Sequence, residues 1–430
     1  MDYHSPTPNN PVPVANWLTI IFRKTGCIPI DVSVEEVSES KEGRLGKGNI
    51  VPYNIRYRKL ENNLNSGHID WNSLPQTIIV KHAVSGADSE SEFDKGGLLN
   101  IENRFFRFLT IAREGWFYEW AFKEMIDFWG LDQSPFSPPH IYHSMADFTE
   151  PEGMFIAMED LRVSTTRMDQ FLGAQGGTQI EDDDSKLKSS ISPKEAWKQS
   201  FEEVAITHAK YWNIEKSISS ELQQRLKSAQ WMKGERRDEW ETSLTACRLA
   251  WSGTNKSYMS ERVISFVTKC LETASFDRAI QHMNKSPKTL VHGDFHAKNL
   301  FWHENKKCVI MTDFSEVGIG NPISDLGQYV ISDVETNVRR SYEKEVLYAY
   351  WTKLTTVPGS CVDANKYPFS QCWESYKKDA LDRFIWFFPM LAYMNWNTKF
   401  FHDQIDGFLV DHQVDVDEFV LVYGTEMLEK

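Results

Sequence analysis

Between Leu290 and Phe314 the chain reads Leu290-Val291-His292-Gly293-Asp294-Phe295-His296-Ala297-Lys298-Asn299-Leu300-Phe301-Trp302, a polar turn, then Cys308-Val309-Ile310-Met311-Thr312-Asp313-Phe314. An aspartate stands two residues after a histidine, and an asparagine five residues after that aspartate, in the spacing H-x-D-x-x-x-x-N. A second aspartate closes a short apolar run. A carboxylate, an amide and a second carboxylate in this order suit phosphoryl transfer, which is chiefly positioning and charge neutralisation. Asp294 is the candidate base for the proton of an acceptor hydroxyl. Asn299 and Asp313 supply hard oxygen ligands for Mg²⁺, an ion that takes few protein groups and keeps phosphates and waters.

Those residues need elements to position them. Leu300–Trp302 and Cys308–Met311 read as a hairpin around Glu304–Lys307, which brings Asn299 and Asp313 to one end. Upstream, the β-branched run Thr77-Ile78-Ile79-Val80 leads into Lys81 and predicts a buried strand over 77–83. A lysine there needs an anion, because an unpaired buried charge is costly. Residues 101–129 read as one long or broken helix. Its apolar stripe is Ile111, Phe117, Tyr118, Ala121 and Met125, and Glu114 is the carboxylate on that stripe. Glu114 is therefore the expected partner of Lys81, whereas Glu119 and Glu124 fall off the stripe. Strands are expected over 28–37 and 49–58, with Gly43, Gly46 and Gly48 between them. Gly46 and Gly48 would let backbone amides approach phosphate, although an ordinary glycine turn reads equally from the residues.

The motif His292-Gly293-Asp294-Phe295-His296-x-x-Asn299 resembles that of the aminoglycoside phosphotransferase and choline kinase-like superfamily. Within it the chain is most similar to the ecdysteroid kinase-like branch, through Glu114-x-x-Phe117-Tyr118, Met158-Glu159-Asp160-Leu161, Asp313-Phe314-Ser315 and Pro322-x-x-Asp325-Leu326. It carries His296 where that branch usually has Trp, and Ser315 where it usually has Gln. The resemblance spans roughly residues 35 to 420. It implies an α+β, protein kinase-like, two-lobed fold with ATP bound in the cleft. The β-rich N-terminal lobe would take 15–158, the hinge 159–163 and the helical C-terminal lobe 164–430. At the hinge, backbone groups of Glu159 and Leu161 would meet the adenine edge.

The remaining segments follow from local pattern. Residues 1–14 read as disordered, 61–76 as a polar hairpin loop, 135–143 as a Pro-rich connection, and 153–158 as a strand. Residues 173–193 read as a mobile insertion. A helix over 194–211 lines up Ala196, Trp197, Phe201, Val204, Ala205 and His208 on one face, with His208 read as packing rather than chemistry. Asp325 is expected to hydrogen-bond the catalytic-loop backbone, and His292 to pack beneath the second aspartate's segment. His296 is read as either loop scaffolding or a substrate contact. The aromatic stretch 373–401 reads as a helical core or as the wall of an acceptor pocket.

Eleven residues separate Asp313 from Asp325, and no Ala-Pro-Glu follows. That is too short for the peptide-docking segment of a protein kinase, so a small-molecule hydroxyl substrate is expected. Sterol-like, amino-alcohol, sugar and alkaloid acceptors all fit. The alternatives are a catalytically silent kinase-fold binding protein and a protein kinase. With 430 residues there is ample chain for two lobes, and the net charge of −14 opposes nucleic acid or an anionic membrane as a partner. The six cysteines form no close pairs, no basic-then-apolar leader opens the chain, and no apolar run reaches a membrane span. A cytoplasmic enzyme is the expectation; the sequence leaves its oligomeric state open.

Overall fold

A computed structural model describes residues 13–41, 50–60, 69–82, 112–120, 139–146, 154–172, 191–216, 219 and 223–424. These fall into two compact units, one ending at Ser164 and the other beginning at Thr165.

The first unit is built on five antiparallel strands: β1 Val32–Glu39, β2 Ile50–Lys59, β3 Thr77–His82, β4 Ile141–Ala146 and β5 Met154–Glu159. Their order is β1-β2-β3-β5-β4, which makes β3 the central strand. Alternation puts Ile78 and Val80 on one face. There they join Val34, Val51, Tyr53, Ile55 and Phe155 in a core closed by Trp17, Leu18, Ile21 and Phe22 of the helix Ala15–Lys24. That helix ends as its sequence dictates. Gly26 adopts φ +73°, Gly26 N–H donates to Arg23 O, and Cys27 N–H donates to Phe22 O. This paired closure satisfies two terminal carbonyls and needs a left-handed residue.

The same closure shifts the first strand. β1 was expected from Ile28 but begins at Val32. Ile28 N–H is drawn back to Phe22 O, Pro29 has no N–H to donate, and Ile30 is 78% exposed. A bulge between Val34 and Glu36 then exposes two successive glutamates and breaks the alternation. The Pro-rich connection also needs correction, because Ile141–His143 belongs to β4. Its polar His143 and Ser144 and a register shift between Ile141 and His143 hide the strand pattern. Within 69–76 the chain forms a single turn, Trp71–Ser73, capped by Asp70. Residues 112–120 are helical, as expected; the rest of the 101–129 helix lies outside the described residues, as do 1–12 and 173–190.

The second unit is mainly helical. Its helices include Pro193–Lys210, Arg237–Gly253, Glu261–Thr273, Phe276–Lys285, Ile323–Asp333, Thr336–Thr356, Phe369–Asp379, Asp382–Tyr393 and Thr398–His412. Two small sheets lie among them: β6 Thr166–Arg167 with β8 Leu300–His303 and β9 Cys308–Met311, and β7 Thr289–Val291 with β10 Gly318–Gly320. Pro193 at the first turn and Ser192, accepting from Glu195 N–H, start the first of these helices. Its expected face, Ala196 to His208, is buried. The aromatic stretch is mostly core: Tyr376, Phe384, Trp386, Phe388 and Phe401 are buried, while Trp396 is 57% exposed.

A five-stranded antiparallel sheet with a lysine on its central strand, followed by a helical unit that carries the His-Gly-Asp loop and its hairpin, is the protein kinase-like architecture. All six cysteines are free thiols. Among the described residues no helix is long and apolar enough to cross a membrane.

Candidate active site

The loop from His292 to Asn299 is held from beneath by one helix, Ile323–Asp333. Asp325 accepts His292 N–H at 2.7 Å and Gly293 N–H at 2.9 Å, as the sequence led us to expect. Gly293 sits at φ +79°, and a Cβ there would lie 2.0 Å from Glu316 O, so only glycine fits. Asp325 is itself buried and is met by His208 Nε2 at 3.1 Å, while His208 Nδ1 lies 2.9 Å from Tyr350 Oη. Burial alone would raise the Asp325 carboxyl, but the bond from His208 and the loop amides hold it below its ordinary range. Two turns further on, Asp333 accepts Ala297 N–H at 2.9 Å. His292 Nε2 lies 2.9 Å from Thr312 O, and its ring packs 4.5 Å from that of Phe314, beneath the second aspartate's segment.

Asp294 gathers four side chains. Oδ1 accepts from Gln328 Nε2 at 2.8 Å and from an Arg383 guanidinium nitrogen at 2.9 Å. Oδ2 lies 3.3 Å from Asn299 Nδ2 and 3.5 Å from His296 Nε2. Burial opposes the charged form, but His296, Arg383 and Gln328 outweigh it and keep the Asp294 carboxyl well below the usual carboxylate range. His296 also receives Lys298 N–H on Nδ1, so it supports the loop and faces Asp294 at once. Arg383, from the helix Asp382–Tyr393, is buried with its Cζ 4.9 Å from the ring centroids of both Phe387 and Tyr423.

Sequence reasoning missed Arg383, Gln328 and Asp333. Two signals were present. Arg383 is a cation opening the apolar run Phe384–Tyr393, and Gln328 stands one helical turn after Asp325.

The hairpin pairs Leu300 with Met311 and His303 with Cys308. Thr312 donates both N–H and Oγ1–H to Asn299 O, which fixes Asn299 and Asp313 at the same end. Asn299 Nδ2 donates to Asp294 O at 3.0 Å, so the amide oxygen is turned away from Asp294. Asp313 adopts φ +63°, ψ 59°, a left-handed conformation costing on the order of 1–3 kcal/mol for a non-glycine residue and common where function demands it. An amide oxygen and a carboxylate are a hard, incomplete donor set that fits Mg²⁺ sharing its shell with phosphates and waters. Among the described residues no group of three or more His, Cys, Asp or Glu forms a fuller metal site.

In the first unit Lys81 Nζ lies 2.5 Å from Glu114 Oε2, with side chains only 10% and 2% exposed. Tyr118 Oη donates to Glu114 Oε1 at 3.0 Å, and Ser144 Oγ donates to Gly115 O, tying the helix to β4. Glu159 ends β5, where its carboxylate accepts His140 N–H. Leu161 opens a short 3-10 turn whose N-terminus Asp160 caps. Gly46 and Gly48 lie outside the described residues.

With this geometry in place, residues 195–360 match the model of the ecdysteroid kinase-like family, the branch whose motifs the sequence resembles. That stretch contains Asp294, Asn299, Asp313 and Asp325. Solved structures similar to the chain include a choline kinase from Cryptosporidium parvum Iowa II (12% identity, 92% of this chain and 96% of that one, TM-score 0.46). Others are a Plasmodium vivax ethanolamine kinase (10%, 93% and 87%, TM-score 0.43) and the ADP-bound aminoglycoside phosphotransferase APH(2'')-Ib (13%, 93% and 99%, TM-score 0.40). At those values the neighbours say nothing of what this chain acts on. No curated protein sequence matches it.

Proposed function

We propose that the protein is a small-molecule kinase that transfers the γ-phosphoryl group of ATP to a hydroxyl of a small metabolite. The observation that carries this is the setting of Asp294: a half-buried carboxylate held ionised on a glycine-turned loop, beside Asn299, with Asp313 at the same end of the hairpin as Asn299. Asp294 orients the acceptor hydroxyl and takes its proton. Asn299 and Asp313 hold Mg²⁺, which neutralises phosphate charge when bound. Lys81, fixed by Glu114, takes the α- and β-phosphates. Backbone groups of Glu159 and Leu161 take the adenine edge, and Gly46 and Gly48 let amides approach the phosphates. We place the enzyme in the cytoplasm.

The test is phosphorus NMR of the purified chain with Mg·ATP and pooled small hydroxyl compounds. A new phosphomonoester resonance is expected. Asp294→Asn should reduce it by a factor on the order of 10²–10⁴, the usual worth of a positioned base. Full turnover in Asp294→Asn would sink the proposal. One observation favours a second reading: the Arg383 ion pair occupies Asp294. In a catalytically silent binding protein that pair would persist. Nucleotide-induced stabilisation with no ADP formed over a broad panel would support that reading.

A further inference from the structure

The helix Asp382–Tyr393 opens with two neighbours that grip different things. Asp382 accepts Val422 N–H at 2.6 Å and Tyr423 N–H at 2.9 Å. Arg383 reaches Asp294 Oδ1 at 2.9 Å. Adjacent residues thus connect the stretch 419–424, which forms neither helix nor strand, to the proposed base.

That stretch is fixed from other sides as well. Trp240 Nε1 donates to Val422 O at 3.3 Å, and a Cβ on Gly424 would lie 2.6 Å from Trp240 Cδ1, so the backbone lies close against that ring. Tyr423 Oη accepts from Lys227 Nζ at 2.8 Å, and Lys227 Nζ also pairs with Glu316 Oε2 at 2.5 Å. The half-buried Tyr423 is therefore held at its backbone and at its hydroxyl.

The Arg383 head meets this fixed ring. Arg383 is buried, yet its Nε has no hydrogen-bond partner among the described residues. Its Cζ lies 4.9 Å from the ring centroids of Phe387 and Tyr423. Phe387 belongs to the same helix, whereas Tyr423 comes from a separate segment. A guanidinium with an unused N–H is oriented by stacking as well as by hydrogen bonds, and stacking counts for more where water is excluded. On Asp294, Arg383 and Gln328 both take Oδ1. Oδ2 keeps only longer contacts, 3.3 Å to Asn299 Nδ2 and 3.5 Å to His296 Nε2, and is the less tightly held oxygen.

We propose that Tyr423 is a positioning residue of the phosphotransfer centre: its clamped ring keeps Arg383 on Oδ1, which presents Oδ2 of Asp294 to the acceptor hydroxyl. The proposal rests on the phosphotransfer reading above. In the step, the hydroxyl proton passes to Oδ2 and the alcohol oxygen bonds to the γ-phosphorus. The bond from that phosphorus to the β–γ bridging oxygen breaks, and ADP leaves.

The test uses the full chain with saturating Mg·ATP and the pooled small hydroxyl compounds. Tyr423→Leu keeps the backbone clamp and an apolar side chain but has no aromatic face. It should slow phosphomonoester formation by roughly tenfold to a hundredfold, the scale of a misplaced catalytic group, while KM for ATP stays put. Tyr423→Phe, which restores the face without the hydroxyl, should recover most of that loss. A rate within twofold of native in Tyr423→Leu overturns the proposal, as does equal impairment in Tyr423→Phe or a parallel rise in KM for ATP. Nitrogen-15 NMR of the Arg383 guanidinium, assigned with Arg383→Lys, gives a readout apart from activity. Its Nη groups should rotate slowly in the native chain and faster in Tyr423→Leu; unchanged rotation overturns the contact. If the native chain forms no ester, the phosphotransfer reading fails and this role within it falls too, and the nitrogen signal separates that result from a failure of the Tyr423 contact itself.

Discussion

At the scale of single residues, two buried charges make separable predictions. Asp382 is pushed up to about 7, first by burial, against two backbone N–H groups that favour the ionised form. Its folded pKa thus lies above its unfolded one, so the folded state binds the extra proton between them. The stability this gives is present below the ordinary carboxyl range and is lost as pH rises towards about 7. The fall in melting temperature from mildly acidic to neutral pH should therefore be steeper in the native chain than in Asp382→Asn. A fall of equal steepness would contradict the assignment. Lys81 makes the second case. Removing it strands Glu114 in the core, and breaking one side of a buried pair costs roughly 3–5 kcal/mol. Urea unfolding of Lys81→Met should show that loss. Adding Glu114→Gln should recover part of the stability and none of the activity.

At the scale of elements, the helix Ile323–Asp333 and the loop it supports leave no room for side chains at two glycines. A Cβ on Gly327 would lie 2.1 Å from Ala380 O, and one on Gly293 2.0 Å from Glu316 O. Gly327→Ala should lower the melting temperature, since both backbones must part. Gly293→Ala should in addition abolish turnover, because the residue before the base cannot keep its turn. These two glycines mark how much of the site was legible. The placing of Asp294 and Asn299 together, the hairpin that brings Asp313 to the same end, and the Asp325 support all follow from spacing within about thirty-five residues of chain, where local pattern fixes geometry. Arg383 and Gln328 did not follow. Arg383 reaches Asp294 across 89 positions of sequence, a contact that no local periodicity encodes. The two strand errors have local causes instead: a helix closure that pulled Ile28 away from β1, and polar residues in β4 that mimic a loop.

At the scale of the whole molecule, the fold class was readable because the order of elements, strands first and helices after, survives errors in their ends. A ligand that binds only the folded chain stabilises it by about 2.7 kcal/mol at a hundred times its dissociation constant. Mg·ATP should therefore raise the melting temperature, and EDTA or Asp313→Asn should remove most of that rise. If ATP stabilised the chain equally with and without the metal, Asn299 and Asp313 would lose their assigned role.

Asp325 carries one more consequence, which concerns how the molecule comes to be active. Its carboxylate is met by His208, 117 positions earlier, and by His292, 33 positions earlier. Contacts that close long loops carry an entropic cost which shorter-range structure must already offset. The support beneath Asp294 is therefore expected to close late in assembly, after the helices that bring its parts together. A chain with its helices formed but this carboxylate unmet would look largely native to any probe of secondary structure. On the proposed phosphotransfer reading it would also be inactive, so that turnover would report on completed folding.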